Sequence, residues 1–402
     1  MPEAVIIDVV RTAGGKRNGA LAGWHPVDLA AETLKALAER NNLDAALVDD
    51  VIMGCVMQAG AQALNVGRNA VLAAGWPESV PATTIDRQCG SSQQAYHFAA
   101  QGVMAGAYDV VVAAGVEVMS LVPMGGSIGK NIGFPFGAAA DRYTEVELLE
   151  GNKGLVGQGL SAEIIANEWE LSRDDLDAFG AQSQQRAEQA AEQGRFDNEI
   201  IPVVSKIRDK ETGEIKVLDT MHTRDEGIRP GTTAEGLANL KPAFMEGGKV
   251  TAGNSSQICD GASACLIMSA EKAKELGLTP RAKFRSFALA GVDPVRMLTG
   301  PIPSTQKALA KAGLTIGDMD HVEINEAFAS VVLAWEKDLE ADMSRVNPNG
   351  GAIALGHPLG GSGTKLLATM LNELERTGGR LGLQTMCEGG GLANATIIER
   401  LG

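Results

Sequence analysis

The run Val110-Val111-Val112-Ala113-Ala114 constrains this chain more than any other feature, because a strand apolar at every position has no face to offer water. Such a strand must be covered on both sides, and the usual cover is a layer of helices on each face of the sheet. Val5 to Val10, apart from Asp8, and Val51-Ile52-Met53-Gly54-Cys55-Val56 have the same character, which makes Cys55 a core residue. Between them, Leu29, Thr33, Leu34 and Leu37 fall on one side of a helix that the spacing predicts from about Pro26 to Arg40. Strand and helix alternate, so the first part of the chain reads as an α/β layer.

Within that layer, Val80-Pro81-Ala82-Thr83-Thr84 reads as a strand entering a turn, and Gln93 to Met104 as a helix with one buried face. Asp86-Arg87-Gln88-Cys89-Gly90-Ser91-Ser92 lies between them, placing Cys89 where a strand hands over to a helix N-terminus. Unpaired N–H groups and the positive end of the helix dipole favour an anion there, so a thiol is expected to lose its proton more easily. The plain alternative is a small buried core residue.

From about Leu121 the character changes to Gly-rich loops, a helix near Ser161 to Trp169 and a polar helix from Ser172 to Gln193, opened by the capping pair Ser172 and Asp175. Gly125-Gly126-Ser127-Ile128-Gly129 has the bare pattern of a hydrolase nucleophile elbow. Pro123 before it and Asn131-Ile132-Gly133-Phe134 after it do not provide the strand and helix that the elbow needs. Arg224, Arg229 and Lys241 form a basic cluster near the end of this segment, a solvated face or a contact for a phosphorylated ligand. Strand-like sequence resumes at Lys249 to Ser256, with Cys259 and Cys265 read as packing residues.

An α/β pattern restarts near Pro280. Val322-Glu323-Ile324 is a strand ending in Asn325-Glu326-Ala327-Phe328, followed by a helix to about Leu339. Gly356-His357-Pro358-Leu359-Gly360-Gly361-Ser362-Gly363 suggests a phosphate loop, but the lysine of that motif would fall at Ser362. What remains is a histidine fixed in a turn, followed by a helix to about Arg376 and a strand, Leu381 to Met386, that runs into Cys387-Glu388-Gly389-Gly390-Gly391. Turn, helix and buried strand follow His357 as they follow Cys89, so the chain repeats itself, and two facing halves would bring both helix N-termini to one centre. His25, His97, His222 and His321 lie in ordinary settings. Cys89, His357, Cys387 and Asn325 form the candidate site.

The net charge of −15 argues against general binding to nucleic acid or anionic membrane, while leaving room for a phosphorylated ligand at a local basic edge. No apolar run is long enough to span a membrane, and Met1 to Asp8 lacks the pattern of a signal peptide, so a cytoplasmic protein is expected. Five cysteines with no Cys-x-x-Cys pair indicate neither a disulfide framework nor a zinc site.

Four motifs, in order along the chain, make it resemble a thiolase, an acyl-CoA C-acyltransferase, from Val5 to Ile398: Gln88-Cys89-Gly90-Ser91, Asn325-Glu326-Ala327-Phe328, Asn349 to Pro358, and Cys387-Glu388-Gly389-Gly390. The resemblance implies a duplicated α/β/α/β/α body with an inserted cap. Residues 1–120 with 250–278 would form the N-terminal half, 121–249 the cap and 279–402 the C-terminal half. It also implies thiolytic cleavage of 3-ketoacyl-CoA. Cys89 would be the nucleophile and take up the acyl group, His357 would accept its proton, and Cys387 would protonate the acetyl-CoA enolate. One oxyanion would meet His357 and a water held by Asn325, the other the backbone N–H groups of Cys89 and Gly389. For coenzyme A, a substrate rather than a resident cofactor, the resemblance implies Arg229 at the nucleotide, Ser256 at the pantetheine amide, and Ala327 and Phe328 along the tunnel. No metal is implied, and a homodimer or homotetramer is expected.

The chain departs from the family's pattern at three places. Gly90-Ser91-Ser92 stands where many thiolases have Ala-Ser-Gly. Gly157-Gln158-Gly159 stands where acetoacetyl-CoA thiolases often carry His-Met, a pair that closes the pocket around a short chain. Glu388 stands beside Cys387, where an apolar residue is common, and would raise the thiol pKa if it faced the site. The alternatives are an acetoacetyl-CoA-forming biosynthetic thiolase, a ketoacyl synthase, which would lack the second cysteine, and a non-catalytic acyl-CoA or lipid carrier, which could dispense with both.

Overall fold

The computed structural model describes residues 2–128 and 135–402. Strand β1 (Ala4–Thr12) leads into helix α1 (Pro26–Arg40), β2 (Asp50–Gly54), α2 (Val66–Ala73), β3 (Ala82–Ile85), α3 (Ser91–Met104) and β4 (Val110–Val118). A long excursion follows, with α4 (Gln158–Glu168), α5 (Arg173–Glu192) and a hairpin of Val203–Arg208 against Ile215–His222. The chain then returns as β5 (Cys259–Ser269) and continues through β6 (Ala282–Gly291), α6 (Pro301–Ala312), β7 (His321–Ile324), α7 (Ala329–Leu339), α8 (Ser362–Thr377), β8 (Leu381–Glu388) and β9 (Leu392–Arg400).

The repeat expected from sequence is present in the sheet. Strand order is β3-β2-β4-β5-β1 in the first half and β7-β8-β9-β6 in the second, with β1 and β6 joined through Val5–Lys283 and Ile6–Ala282. Parallel pairs (β3–β2, β2–β4; β7–β8) give way to antiparallel ones (β4–β5, β5–β1; β8–β9, β9–β6) in the same sequence. A parallel bridge from Val322 to Val346 stands where β3 stands in the first half. Even the irregularities match: the register shifts between Ile6 and Asp8 in β1 and between Phe284 and Ser286 in β6.

Helices α3 and α8 pack on each other as the middle layer, α1 and α2 cover the first half of the sheet, and α6 covers the second. In the middle layer Leu367, Met370, Leu371 and Leu374 of α8 meet Ala95, Tyr96, Ala99 and Val103 of α3, all buried. Each large apolar side chain buried in this way contributes about 1.5–3 kcal/mol. The backbones approach so closely that a Cβ on Gly363 would run into the Gln93 backbone. Both middle helices begin at a glycine, Gly90 and Gly361, with no cap from its own side chain; Ser91 N donates to Gln88 O at 3.0 Å in the turn before α3, and Thr364 N of α8 donates across to Ser92 Oγ of α3 at 3.0 Å.

Ser172 and Asp175 form the expected reciprocal capping box. Strand β5 extends further back than its apolar end suggests: all 11 residues from Cys259 to Ser269 are buried, because β5 lies between β1 and β4. Gly125, Gly126 and Ser127 sit in a turn well after β4 has ended at Val118, without the strand a nucleophile elbow requires. Gly129 and Asn131 to Phe134 of that motif lie outside the described residues.

Candidate active site

The turn after β3 is built by its own polar side chains. Asp86 accepts the Gln88 N–H at 2.6 Å, Ser91 Oγ accepts the Arg87 N–H at 2.9 Å, and the Ser91 hydroxyl donates to Gln88 O at 2.6 Å. Gln88 is held at φ +48°, and Cys89 follows it, buried at the entry to α3. Burial and then the Glu388 carboxylate push the Cys89 thiol up to about 12. Gln158 Nε2, 4.0 Å from Sγ, and the N–H groups of Cys89 and Gly389 act in the opposite sense. The helix N-terminus was expected to ease ionisation; desolvation outweighs it.

Gly356 precedes His357 at φ +78°, where a Cβ would strike Cys259 Sγ, so only glycine fits. The Ser362 hydroxyl donates its single proton to Pro358 O at 2.8 Å, so its oxygen accepts from His357 Nδ1 at 2.5 Å. That leaves Nε2 as the bare nitrogen, 3.4 Å from the amide donor of Asn325. Burial, and then the Lys365 ammonium, push the imidazole down to about 3, so it is neutral at neutral pH and able to accept a proton. The other four histidines have structural partners: His25 caps α1, His97 bonds Thr396, His222 bonds Ala13 O and His321 bonds Glu323.

Asn325 is set by the sheet. Its N–H donates to Thr385 O at 3.0 Å, continuing the parallel pairing of β7 with β8. Glu326 next to it is a buried tie that accepts from Ser183 Oγ (2.6 Å), Asn347 Nδ2 (3.0 Å) and Ile353 N (3.2 Å). Two of the motifs are therefore bolted together by one carboxylate. Cys387 is fully buried near the end of β8, and burial, then Cys89, then Glu388 hold its thiol well above the ordinary cysteine range. Glu388 does not line the cavity; its charge nevertheless bears on both thiols.

Cys89 and His357 stand at the buried end of a cavity of about 890 Å³, and Arg229, Lys16 and Arg17 stand at its exposed end. Ser256, Ala327 and Phe328 line it between them. The segment from Asn254 to Ile258 positions this wall: Ser256 N donates to Ala327 O (2.9 Å), Ala329 N to Asn254 O (2.9 Å) and His357 N to Gln257 O (3.1 Å). Asn325, Cys387 and Gly389 do not line the cavity; Asn325 reaches it through His357, and Gly389 acts on Cys89 through its N–H. Of the basic cluster only Arg229 lines the cavity; Arg224 and Lys241 do not. A Cβ on Gly157 would meet nothing within 4 Å, whereas Gly159 is covered by the Phe244 ring, itself edge-on to Phe328 at 5.8 Å.

Sequence reasoning missed Lys16, Arg17, Phe244, Ser362 and Lys365 as parts of this site; it set Gly157 to Gly159 at the pocket without anticipating that Gln158 reaches Cys89. Ser362 and Lys365 carried a signal, a hydroxyl and a cation in the glycine-rich turn of His357; for Phe244, which approaches through tertiary packing, there was none. All five cysteines are free, and no group of three His, Cys, Asp or Glu among the described residues is arranged to hold a metal. No helix among the described residues is long and apolar enough to cross a membrane.

Comparison with known proteins places this geometry. The thiolase N-terminal domain model matches residues 4–271 and the thiolase C-terminal domain model matches residues 278–400. The chain is 52% identical over 403 residues to the steroid 3-ketoacyl-CoA thiolase FadA6 of Mycobacterium tuberculosis, covering 100% of this chain and 95% of that one. It is 47% identical over 407 residues to a 3-ketoacyl-CoA thiolase of Saccharophagus degradans, covering 99% and 98%. The crystal structure of the Bacillus anthracis acetyl-CoA acetyltransferase superposes with a TM-score of 0.87 at 38% identity, covering 100% of this chain and 99% of that one. With both halves matched, the chain belongs to the thiolase family and is an acyltransferase of that family.

Proposed function

We propose that this thiolase catalyses CoA-dependent cleavage of 3-ketoacyl-CoA, working mainly in the degradative direction, and that it accepts acyl groups larger than acetoacetyl, ring-bearing ones included. The observation that carries the reading is the large apolar cavity with Cys89 and His357 at its buried end and an open space at Gly157. A steroid substrate in the name of a relative 52% identical to the chain is in keeping with it.

In this reading Cys89 Sγ attacks the 3-keto carbon while His357 Nε2 takes its proton. The carbonyl oxygen becomes an oxyanion between the N–H groups of Cys89 and Gly389, where each such donor is worth roughly 3–4 kcal/mol. Collapse breaks the bond between C2 and C3, leaving the acyl group on Cys89 and the electron pair on the acetyl-CoA enolate. Asn325, through a water, and protonated His357 face the enolate oxygen, and the Cys387 thiol protonates its carbon. An incoming CoA thiol then gives its proton to Cys387 and takes the acyl group, and His357 returns its proton to Cys89. A Cys387 thiol held well above its ordinary pKa rests protonated, as a donor must be. Arg229 would meet the nucleotide of CoA, Ser256 the pantetheine amide, and Ala327 and Phe328 the tunnel. The division into residues 1–120 with 250–278, 121–249 and 279–402, a cytoplasmic location and a homodimer or homotetramer belong to the same proposal.

The test is CoA-dependent cleavage of a panel from acetoacetyl-CoA to long-chain and ring-bearing 3-ketoacyl-CoAs, by the wild type and Cys89→Ala. Cleavage of the bulky members, abolished in the variant, is the expected result. Preference for acetoacetyl-CoA would favour the biosynthetic alternative, and binding of CoA esters without any turnover would favour the carrier.

A further inference from the structure

Lys365 lies buried in the first turn of α8, its ammonium donating to Leu355 O at 2.5 Å and to Gly356 O at 2.9 Å. These are the last two carbonyls before His357. A lysine here runs against expectation twice, since burial penalises its charge and the positive end of α8 repels it. The duplicated fold supplies an internal comparison. Three residues after the first serine of α3, the equivalent place holds Gln94, buried and neutral. Packing of a middle helix therefore accepts a neutral side chain, and the cation belongs to the His357 side alone.

The countercharge comes from the excursion between β4 and β5. Asp225 Oδ1 lies 4.0 Å from the ammonium, and the same carboxylate accepts Arg11 Nη1 (2.8 Å), Arg11 Nη2 (3.1 Å) and Gly14 N (2.7 Å). Arg11 Nε continues to Glu199 at 2.6 Å, and Glu199 accepts the Thr369 hydroxyl, one turn along α8 from Lys365, at 2.9 Å. One buried network thus joins β1, the excursion and α8 directly behind the histidine. Arg229, at the open end of the cavity, follows Asp225 on the same loop.

We propose that Lys365 is a positioning residue for His357, fixing the Leu355 and Gly356 carbonyls, and with them the imidazole, and setting a positive charge behind the ring. This rests on His357 acting as the base for Cys89. Burial is the largest influence on Lys365 and lowers its pKa; Asp225, Cys259 and Glu199 favour its charge and Arg11 opposes it, while the charge bearing on His357 is Lys365, with Cys89 on the same cavity wall. Imidazolium beside a fixed cation is disfavoured, so removing the cation makes His357 protonate at higher pH, and the acid limb of the reaction moves up.

The experiment compares full-length wild type, Lys365→Met and Lys365→Arg. Two readouts are taken: the pH midpoint of the His357 imidazole by NMR of ¹³C-histidine-labelled protein, and the pH dependence of Cys89 alkylation by iodoacetamide. Lys365→Met is expected to raise the midpoint by about one unit or more and to move the acid limb of alkylation with it, and Lys365→Arg to restore the midpoint. An unchanged midpoint in Lys365→Met, with alkylation lowered equally at every pH, overturns the proposal, as does a midpoint in Lys365→Arg as high as in the Met variant. Should Lys365→Met fail to fold, Lys365→Gln, which keeps one donor without the charge, must show the same shift, and its absence is equally decisive. The imidazole midpoint is read without turnover, so a wild type inactive on every ketoacyl-CoA would overturn the base assignment and leave this measurement standing.

Discussion

The carboxyl of Glu388 occupies the space that a side chain on Gly90 would need. Glu388 is fully buried, and neither of its oxygens has a hydrogen-bond partner among the described residues. Asn394 Nδ2, beside the same point, donates to Gly90 O at 3.0 Å and holds the Cys89 turn from behind. A methyl group on Gly90 must therefore displace the carboxyl, the amide or the turn itself. Gly90→Ala is expected to cost about 1–3 kcal/mol of stability and to slow alkylation of Cys89. Because the clash is with one neighbour, adding Glu388→Ala should recover part of the loss. Denaturant unfolding of the two single variants and the double variant checks this, and strictly additive losses would contradict it.

Glu388 also makes a prediction about pH. Burial raises its pKa well above the ordinary glutamate range, with Arg87 opposing and Asp86 adding to the effect. A carboxyl that binds its proton more tightly in the folded than in the unfolded state costs stability as pH rises from the unfolded value, about 4.3, toward the folded one. Glu388→Gln escapes that loss. Its Tm should therefore exceed the wild-type Tm by a margin that widens between pH 4 and pH 8; a constant margin would mean that the native carboxylate is ionised at no cost. The same charge opposes thiolate formation at Cys89 and Cys387. Alkylation of Cys89 should accordingly set in at lower pH in Glu388→Gln and in Glu388→Ala, and an unchanged profile would remove Glu388 from the electrostatics of the site.

Gly157 addresses substrate size. Gly157 lines the cavity, and a Cβ on it would meet nothing within 4 Å, so a larger residue there adds bulk at the cavity wall without a backbone clash. Gly157→His is expected to lower kcat/KM for long or ring-bearing 3-ketoacyl-CoAs by roughly ten-fold or more while sparing acetoacetyl-CoA, since a short acyl chain needs less of the space. Because Gly157 is the N-cap of α4, a stability change of about 1 kcal/mol or less is expected alongside. Equal losses on all substrates would show that this position does not set acyl length.

The sequence made the doubled α/β pattern and the turns at Cys89 and His357 legible, because their signals are local: apolar strands, a helix start, and glycines where no Cβ fits. Helix α1 runs from Pro26 to Arg40 as its periodicity predicts. What escaped was set by tertiary contact. Arg11 lies inside an apolar strand yet finds Glu199 and Asp225 at distant points of the chain. The Cys89 thiol is governed by burial and Glu388 rather than by the dipole of its own helix, so the expected direction of its pKa was reversed. Gln158 reaches Sγ only because α4 folds back over Cys89.

Ser362 gives the imidazole of His357, the proposed base, a direction. Its hydroxyl proton is committed to Pro358 O, so Nδ1 of the ring must supply the proton between them and Nε2 keeps its lone pair toward Asn325 and the cavity. Ser362→Ala leaves Nδ1–H without its acceptor and removes the shorter of the two contacts that favour the tautomer with Nε2 bare, leaving the Asn325 amide at 3.4 Å. The fraction of protein with Nε2 bare then falls, and the ring loses a restraint. Since Ser362 does not line the cavity, substrate binding should be little affected: kcat is expected to fall roughly ten- to hundred-fold with KM nearly unchanged. Steady-state kinetics on a cleaved 3-ketoacyl-CoA separates the two parameters, and ¹⁵N chemical shifts of the His357 ring report the tautomer directly. A variant with normal kcat, or one whose ring stays protonated at Nδ1, would show that the Gly356 to Pro358 turn orients the imidazole without help from the serine.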